Sequence, residues 1–359
     1  MHTPLKAEHQ QHGAQWREWL GENVPGSYGD TSAEYSALRQ GAGVIDLSVL
    51  GKLRITGDDR ITYLQGQLSQ DILPLQTAGV GAYSCLLKPT GQMLSDMVLF
   101  ATEDAVIVLT PPHTVQTVRE RLEQFVIMED VEIEDVTHRL AVLHVAGKRA
   151  NEALASLSLQ TQVALWHGQT VLWQEQPLHA VRTDRCGDLG YDLIISVEMA
   201  KDLWRGLLDA GVRPVGYEAW NIRRVEAGIP LFGIDMDETT IPLEAGLGER
   251  AISFTKGCYT GQEVIHRIYS RGHTNRSLVG LRLNEDVLPS YRAPISTSDR
   301  EDVGWVTSAV RSLALGMPIA LCYLRNDYTA PGTVVTIRHE PSPVPAEVTT
   351  LPFVEPSRA

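Results

Sequence analysis

The residues best suited to chemistry are Lys256-Gly257-Cys258-Tyr259-Thr260-Gly261-Gln262-Glu263. One thiol stands two residues after a lysine, between two glycines, ahead of Val264, Ile265 and Ile268 at helical spacing. Thr260 and Glu263 have the spacing of a capping box, which predicts a helix N-terminus at Thr260. The lysine and the helix end would both favour thiolate and lower the pKa of Cys258 from its usual value of about 8.5. Such a thiolate could accept a one-carbon unit, be oxidised, form a mixed disulfide or ligate iron. One thiol cannot hold an iron–sulfur cluster alone. The same residues read equally well as a buried cysteine in a tight turn, with Thr260 and Glu263 serving only as caps.

The other cysteines, Cys85, Cys186 and Cys322, are widely spaced with no Cys-x-x-Cys, which argues for reduced thiols and against a zinc site. At 359 residues, with 43% hydrophobic and 21% charged residues, the chain has the composition of a multi-domain globular protein. The net charge of -13 argues against a nucleic-acid-coating role. Charge is nevertheless uneven. Residues 256–283 carry Lys256, Arg267, Arg271, Arg276 and Arg282, with His266 and His273, against the single acid Glu263. That run is a local anion site or a solvated basic face. No apolar run reaches membrane-spanning length and no secretory signal is evident, so a cytoplasmic location is expected, with no membrane and no nucleic-acid partner.

The elements that must position these residues follow from periodicity. Residues 1–27 form a polar lead in which Trp16, Trp19 and Leu20 predict a surface helix. A strand over Leu53–Gly57 and an amphipathic helix over Asp58–Ser69 come next. Strands are predicted over Tyr83–Leu87, Met97–Phe100 and Ala105–Thr110, a helix over Val115–Phe125, and strands over Val131–Val136 and Ala141–Val145. A second mixed set spans Val163–Leu208, and short strands dominate beyond Pro294. The order predicts an α+β fold ending in an antiparallel barrel or sandwich. The last stretch, Pro341–Ala359, reads as a proline-rich tail.

The segment Ala251 to Glu263 closely resembles the signature of the YgfZ family, folate-binding proteins related to the T-protein (aminomethyltransferase) of the glycine cleavage system. Gly216 to Ala219, Arg224 to Gly228 and Met236 to Ala245 are similar to the T-protein core. Arg182-Thr183 with Gly187 to Asp192 is similar to a T-protein folate-pocket segment, and Gly304 to Ser308 to its barrel. The resemblance covers roughly residues 28–340. It implies a T-protein-like three-domain ring, with mixed α/β folate-binding domains interleaved over 28–272 and a C-terminal antiparallel β-barrel over 273–340. It further implies binding of tetrahydrofolate or a derivative; nothing in the sequence demands a partner chain, so a monomer is expected. The implied role is accessory to iron–sulfur cluster assembly or repair, with iron–sulfur proteins, including tRNA-modifying enzymes, as partners. The alternative is a tetrahydrofolate-dependent aminomethyltransferase.

On this resemblance Cys258 and Lys256 carry any catalysis. Asp188 accepts from the pterin edge, and Tyr83, Met93 and Tyr191 wall the aryl ring. Arg224, Arg250 and Arg271 meet the anionic glutamate tail. Two departures stand out. The T-protein aspartate that assists one-carbon transfer aligns with Ser95, leaving only its neighbour Asp96; a one-residue slip restores it. Trp220 stands where T-proteins typically carry arginine, with Arg223 or Arg224 as substitutes.

Overall fold

The computed structural model describes residues 3–159, 163–188 and 190–356, and the side chain of Arg271 lies outside the described set. The chain opens with α1 (Lys6–Gln11) and a hairpin of β1 (Gln15–Trp19) and β2 (Glu22–Ser27). Then come α2 (Thr31–Gln40), β3 (Gly43–Asp46), β4 (Gly51–Thr56), α3 (Arg60–Gln67), β5 (Gly81–Leu87), β6 (Met93–Ala101), β7 (Val106–Thr110), α4 (Val115–Glu123) and β8 (Glu132–Asp135). The middle runs through β9 (Leu140–Ala146), α5 (Ala150–Ser156), β10 (Gly168–Trp173), β11 (Gln176–Thr183), β12 (Gly190–Ser196), α6 (Val197–Asp209), β13 (Arg213–Pro214) and α7 (Tyr217–Glu226). Helices α8 (Gly248–Ala251) and α9 (Gln262–Arg271) precede β14 (Arg276–Leu283), β15 (Pro294–Ser296), β16 (Gly304–Ser312), β17 (Met317–Arg325), β18 (Val334–Ile337) and β19 (Val344–Thr349).

Three sheets organise these strands. One has the order β10-β11-β12-β9-β3-β13, another β5-β6-β7-β4-β8, and β14-β17-β16-β15-β18-β19 close into an antiparallel barrel. The first two are interleaved in the chain, because β3 leaves for the six-stranded sheet before β4 to β8 build the five-stranded one. Strand alternation then sorts side chains between cores. Along β12, Tyr191, Leu193 and Ile195 enter the core beneath α6, whereas Ile194 enters the central core shared by both sheets. Helix α6 supplies Ala200, Leu203, Trp204 and Leu207, the i, i+3, i+4, i+7 stripe of an amphipathic helix.

Helix α7 ties the three parts together through buried charge. Arg223 pairs with Asp188 and with Glu226. Glu226 also accepts from Tyr35 of α2 at 2.7 Å and from Ser312 of the barrel at 2.6 Å. Arg224 pairs with Asp235 and donates to Ser308 at 2.6 Å.

Three local expectations are corrected. Trp16 and Trp19 lie on β1 of a hairpin, turned at Leu20 and Gly21, both at positive φ, and not on a helix. Residues 344–349 form the barrel strand β19, paired with β14 and β18, so much of the stretch read as a tail is structured. Helix α9 begins at Gln262 behind Gly261, with no side-chain cap from Thr260. Gly261 sits at φ 83°, and a Cβ there would stand 2.6 Å from the Lys88 carbonyl. Close approach to the β5–β6 turn, where Gly91 meets Val264, therefore requires glycine.

Candidate functional site

A cavity of about 600 Å³, counting its open mouth, lies between the six-stranded and the five-stranded sheets. Its walls come from the β1–β2 turn (Trp19, Leu20), the β3–β4 connection (Leu47, Val49, Leu50), β5 (Tyr83), β6 (Asp96, Val98) and α7 (Tyr217, Trp220), with Phe232 beyond. Trp19, Tyr217 and Trp220 pack as one aromatic wall, with ring centroids 5.1–5.7 Å apart. Trp220 Nε1 is buried and has no hydrogen-bond partner among the described residues.

Against this apolar lining stand two charges, Asp96 and Arg185. Asp96 Oδ2 accepts from the Tyr83 hydroxyl at 2.6 Å. Burial pushes the Asp96 carboxyl above its ordinary value, with the Tyr83 hydrogen bond and the charges of Arg185 and Arg250 opposing. Burial also pushes Tyr83 well up, so its hydroxyl keeps its proton and remains a donor. Trp166 stacks on Tyr83 at 5.4 Å, and the Arg250 guanidinium lies 5.4 Å from each ring.

Arg185 is held from behind. Its Nε donates to both oxygens of Asp192, at 3.0 and 2.7 Å. His144 Nδ1 lies 2.8 Å from the same carboxylate and Thr183 donates to it at 3.2 Å. Burial alone would raise the pKa of Asp192, but Arg185 and His144 hold it well below the usual carboxylate range.

Asp96, not Ser95, faces the cavity. Ser95 Oγ lies 2.8 Å from Thr114 Oγ1 and donates to its neighbour's carbonyl, on the other side of the sheet. Alternation sets this parity, since Asp96 shares a strand face with Val98 and Phe100 of the central core while Ser95 lies on the side of Met97 and Leu99. Leu86 and Leu87 of β5 pair with Ser95 and Met93, so Leu94 is an extra, bulged residue that brings Met93 onto the central side as well. Of the two residues set against the T-protein aspartate, Asp96 is the one that lines the cavity.

Of the residues assigned from sequence, Tyr83 lines the cavity and Arg250 stacks behind it, its guanidinium forming two hydrogen bonds to Asp184 at 2.7 and 2.8 Å. Met93 is fully buried in the central core, outside the cavity lining. Tyr191 points into the core under α6, on the face opposite the cavity. Asp188 is buried in its ion pair with Arg223. Arg224 lines a separate cleft against the barrel, beside Thr307 and Ser308. Neither arginine takes the place left by Trp220, which is itself a cavity wall.

Lys256 donates to three backbone carbonyls, those of Gln65, Leu68 and Gln70, at 2.7–2.8 Å, and so ties down the end of α3. Burial lowers its pKa to about 8. Cys258 is exposed, three residues before the cap of α9, while Cys85, Cys186 and Cys322 are buried. Arg271 ends α9, and its side chain lies outside the described residues. Sequence reasoning missed Arg185, Asp192, His144 and Trp19. The available signal was alternation on β12, which places Asp192 on the side of Ile194 and opposite Tyr191.

No group of acidic, histidine or cysteine residues fit to hold a metal occurs among the described residues, and none of their helices is long and apolar enough to cross a membrane. The chain matches the GCVT N-terminal domain over residues 5–256 and the glycine cleavage T-protein C-terminal barrel domain over 276–355. An aminomethyltransferase of Ralstonia pickettii is 31% identical, covering 100% of this chain and 98% of its own length. One from Nostoc sp. is 30% identical over 94% of this chain and 91% of its own. The fold superposes on the glycine cleavage system aminomethyltransferase T from Bartonella henselae with a TM-score of 0.91, covering 99% and 98% of the two chains at 24% identity. With both domains matched and relatives aligned over nearly their whole length, this chain belongs to the glycine cleavage T-protein family.

Proposed function

We propose that this protein is a tetrahydrofolate-dependent one-carbon transferase of the aminomethyltransferase type, with Asp96 as its central acid–base group. The carrying observation is the buried Asp96, fixed by Tyr83, in an aromatic-walled cavity. The lining fits a reduced folate. Trp19, Tyr217 and Trp220 offer flat apolar surface to its rings, and the orphaned Trp220 Nε1 offers a donor to a ring acceptor. When bound, tetrahydrofolate supplies the amine nitrogens that accept a one-carbon unit. Asp96 orients an amine and holds or releases a proton, for which its raised pKa suits it. The Tyr83 hydroxyl keeps that carboxylate in one orientation, and the apolar walls exclude competing water.

Relatives named aminomethyltransferase over nearly the full length support this reading above the iron–sulfur accessory role. The accessory role, and membership of the YgfZ group with it, rests on the motif Ala251 to Glu263, whose Cys258 is the one exposed thiol of the four, and on Ser95. Cluster-enzyme activity that survives Cys258→Ala in cells contradicts it. The transferase reading is tested by calorimetric titration with tetrahydrofolate, comparing wild type with Trp220→Phe. Saturable heat, weakened by loss of the indole N–H, is the expected result; no heat in either protein overturns it.

A further inference from the structure

Two arginines stand near Asp96, and neither pairs with it. Arg185 lines the same cavity. Arg250 of α8 sets its guanidinium 5.4 Å from the ring of Tyr83, whose hydroxyl donates to Asp96. Each cation is held by another carboxylate, Asp192 on β12 or Asp184 directly after β11. Arg185 Nε donates to both oxygens of Asp192, at 3.0 and 2.7 Å, and its Nη2 lies 2.7 Å from Oδ2. Arg250 donates through Nη1 and Nη2 to the two oxygens of Asp184, at 2.7 and 2.8 Å. His144 and Thr183 fix Asp192 in turn.

The other titratable groups facing Asp96 carry no charge. Burial pushes the Tyr83 hydroxyl and the Cys85 thiol of β5, and the Tyr217 hydroxyl of α7, well above their ordinary values. The rest of the cavity lining has no titratable group. We propose that Asp192 and Asp184 are positioning residues for one-carbon transfer: each keeps an arginine in its own ion pair, and Asp96 is thereby left a carboxylate without a cation partner, able to exchange its proton with the reacting amine. This deepens the function proposed above and rests on it. A guanidinium released from its partner would stabilise ionised Asp96 and make it a weaker base, because an opposite charge nearby favours the charged form. The arginines are held close by and already paired, so Asp96 stays a stronger base than an ion-paired carboxylate would be.

The test reads the Asp96 proton directly, as the protonated-carboxyl infrared band that Asp96→Asn removes, followed against pH in the full-length protein. Asp192→Asn keeps the shape of the side chain and deletes its charge. The midpoint of the band should fall by about one pH unit in that variant, and should fall also in Asp184→Asn, whose more accessible ion pair leaves folding less at risk. Combining Asp192→Asn with Arg185→Gln removes the released cation and should return the midpoint to the wild-type value or above it. A midpoint unchanged in both single variants overturns the proposal. So does a fall that persists in the double variant, since Arg185 would then not carry it. The infrared midpoint is read without turnover and decides this inference by itself, whereas the transfer reaction of wild type decides the function on which it rests.

Discussion

The Tyr83 hydroxyl donates to Asp96 Oδ2 at 2.6 Å across the β5–β6 pair, and this bond ties the strand register to the chemistry of the cavity. Asp96 is buried and its carboxyl is raised, so the folded protein binds a proton there more tightly than the unfolded chain does. Stability drawn from this site therefore falls as pH rises from the ordinary carboxylate range through the elevated value. Asp96→Asn removes that dependence and should stabilise the fold at neutral pH while lowering turnover by about 10² to 10⁴. Denaturant midpoints and rates on the same preparations check both effects. Loss of activity together with loss of stability contradicts the assignment.

Asp188 offers a contrast. Its carboxylate neutralises Arg223, which with Glu226 joins α2, α7 and the barrel. Asp188→Ala leaves a buried guanidinium with one partner fewer and should cost about 3–5 kcal/mol. In urea denaturation the variant should unfold early. Any folate still bound by the folded fraction should bind with near-native affinity. A stable variant that has lost only folate affinity would restore Asp188 to the ligand site.

Lys256 and Cys258 separate in the same way. Lys256→Met removes three charge-assisted bonds to the end of α3 and should cost roughly 1.5–3 kcal/mol or more. Cys258→Ala, at an exposed position, should stay within about 0.5 kcal/mol. Thermal melting of both variants decides whether this segment is held for its architecture.

Lys52 is fully buried, with Nζ donating to Ser48 O at 2.7 Å and Thr137 O at 3.0 Å. Burial lowers its pKa to about 8. Between that value and the ordinary lysine range, the unfolded chain holds a proton that the folded protein has released. Stability therefore rises with pH there, by at most about 1.4 kcal/mol per unit. Urea midpoints of wild type against Lys52→Met from pH 7.5 to 10 should show the gain only in wild type.

The T-protein relationship, the mixed fold and the barrel were legible because motif residues and strand periodicity survive in the sequence, whereas the narrower YgfZ reading drew on the segment around Cys258 alone. What was not legible is parity and partnership. Alternation puts Asp96 with Val98 and Phe100 and Ser95 with Met97 and Leu99, but which of these faces is central depends on sheet packing, and nothing local announces the extra residue Leu94 that turns Met93 to the central side as well. Alternation alone separates Asp192 from Tyr191, but which face is central depends on how two interleaved sheets pack. Asp188, Arg223, Arg224 and Lys256 have the residue types of ligand groups. Only the fold shows that each faces a protein partner instead.

The most direct test of the central claim is a single-turnover assay of one-carbon transfer from an aminomethyl donor to tetrahydrofolate, run on wild type and Asp96→Asn at saturating folate. The account predicts methylenetetrahydrofolate formation by wild type and a loss of at least about a hundredfold in the variant, with folate affinity retained. Transfer by both proteins at equal rates, or by neither despite folate binding, contradicts it.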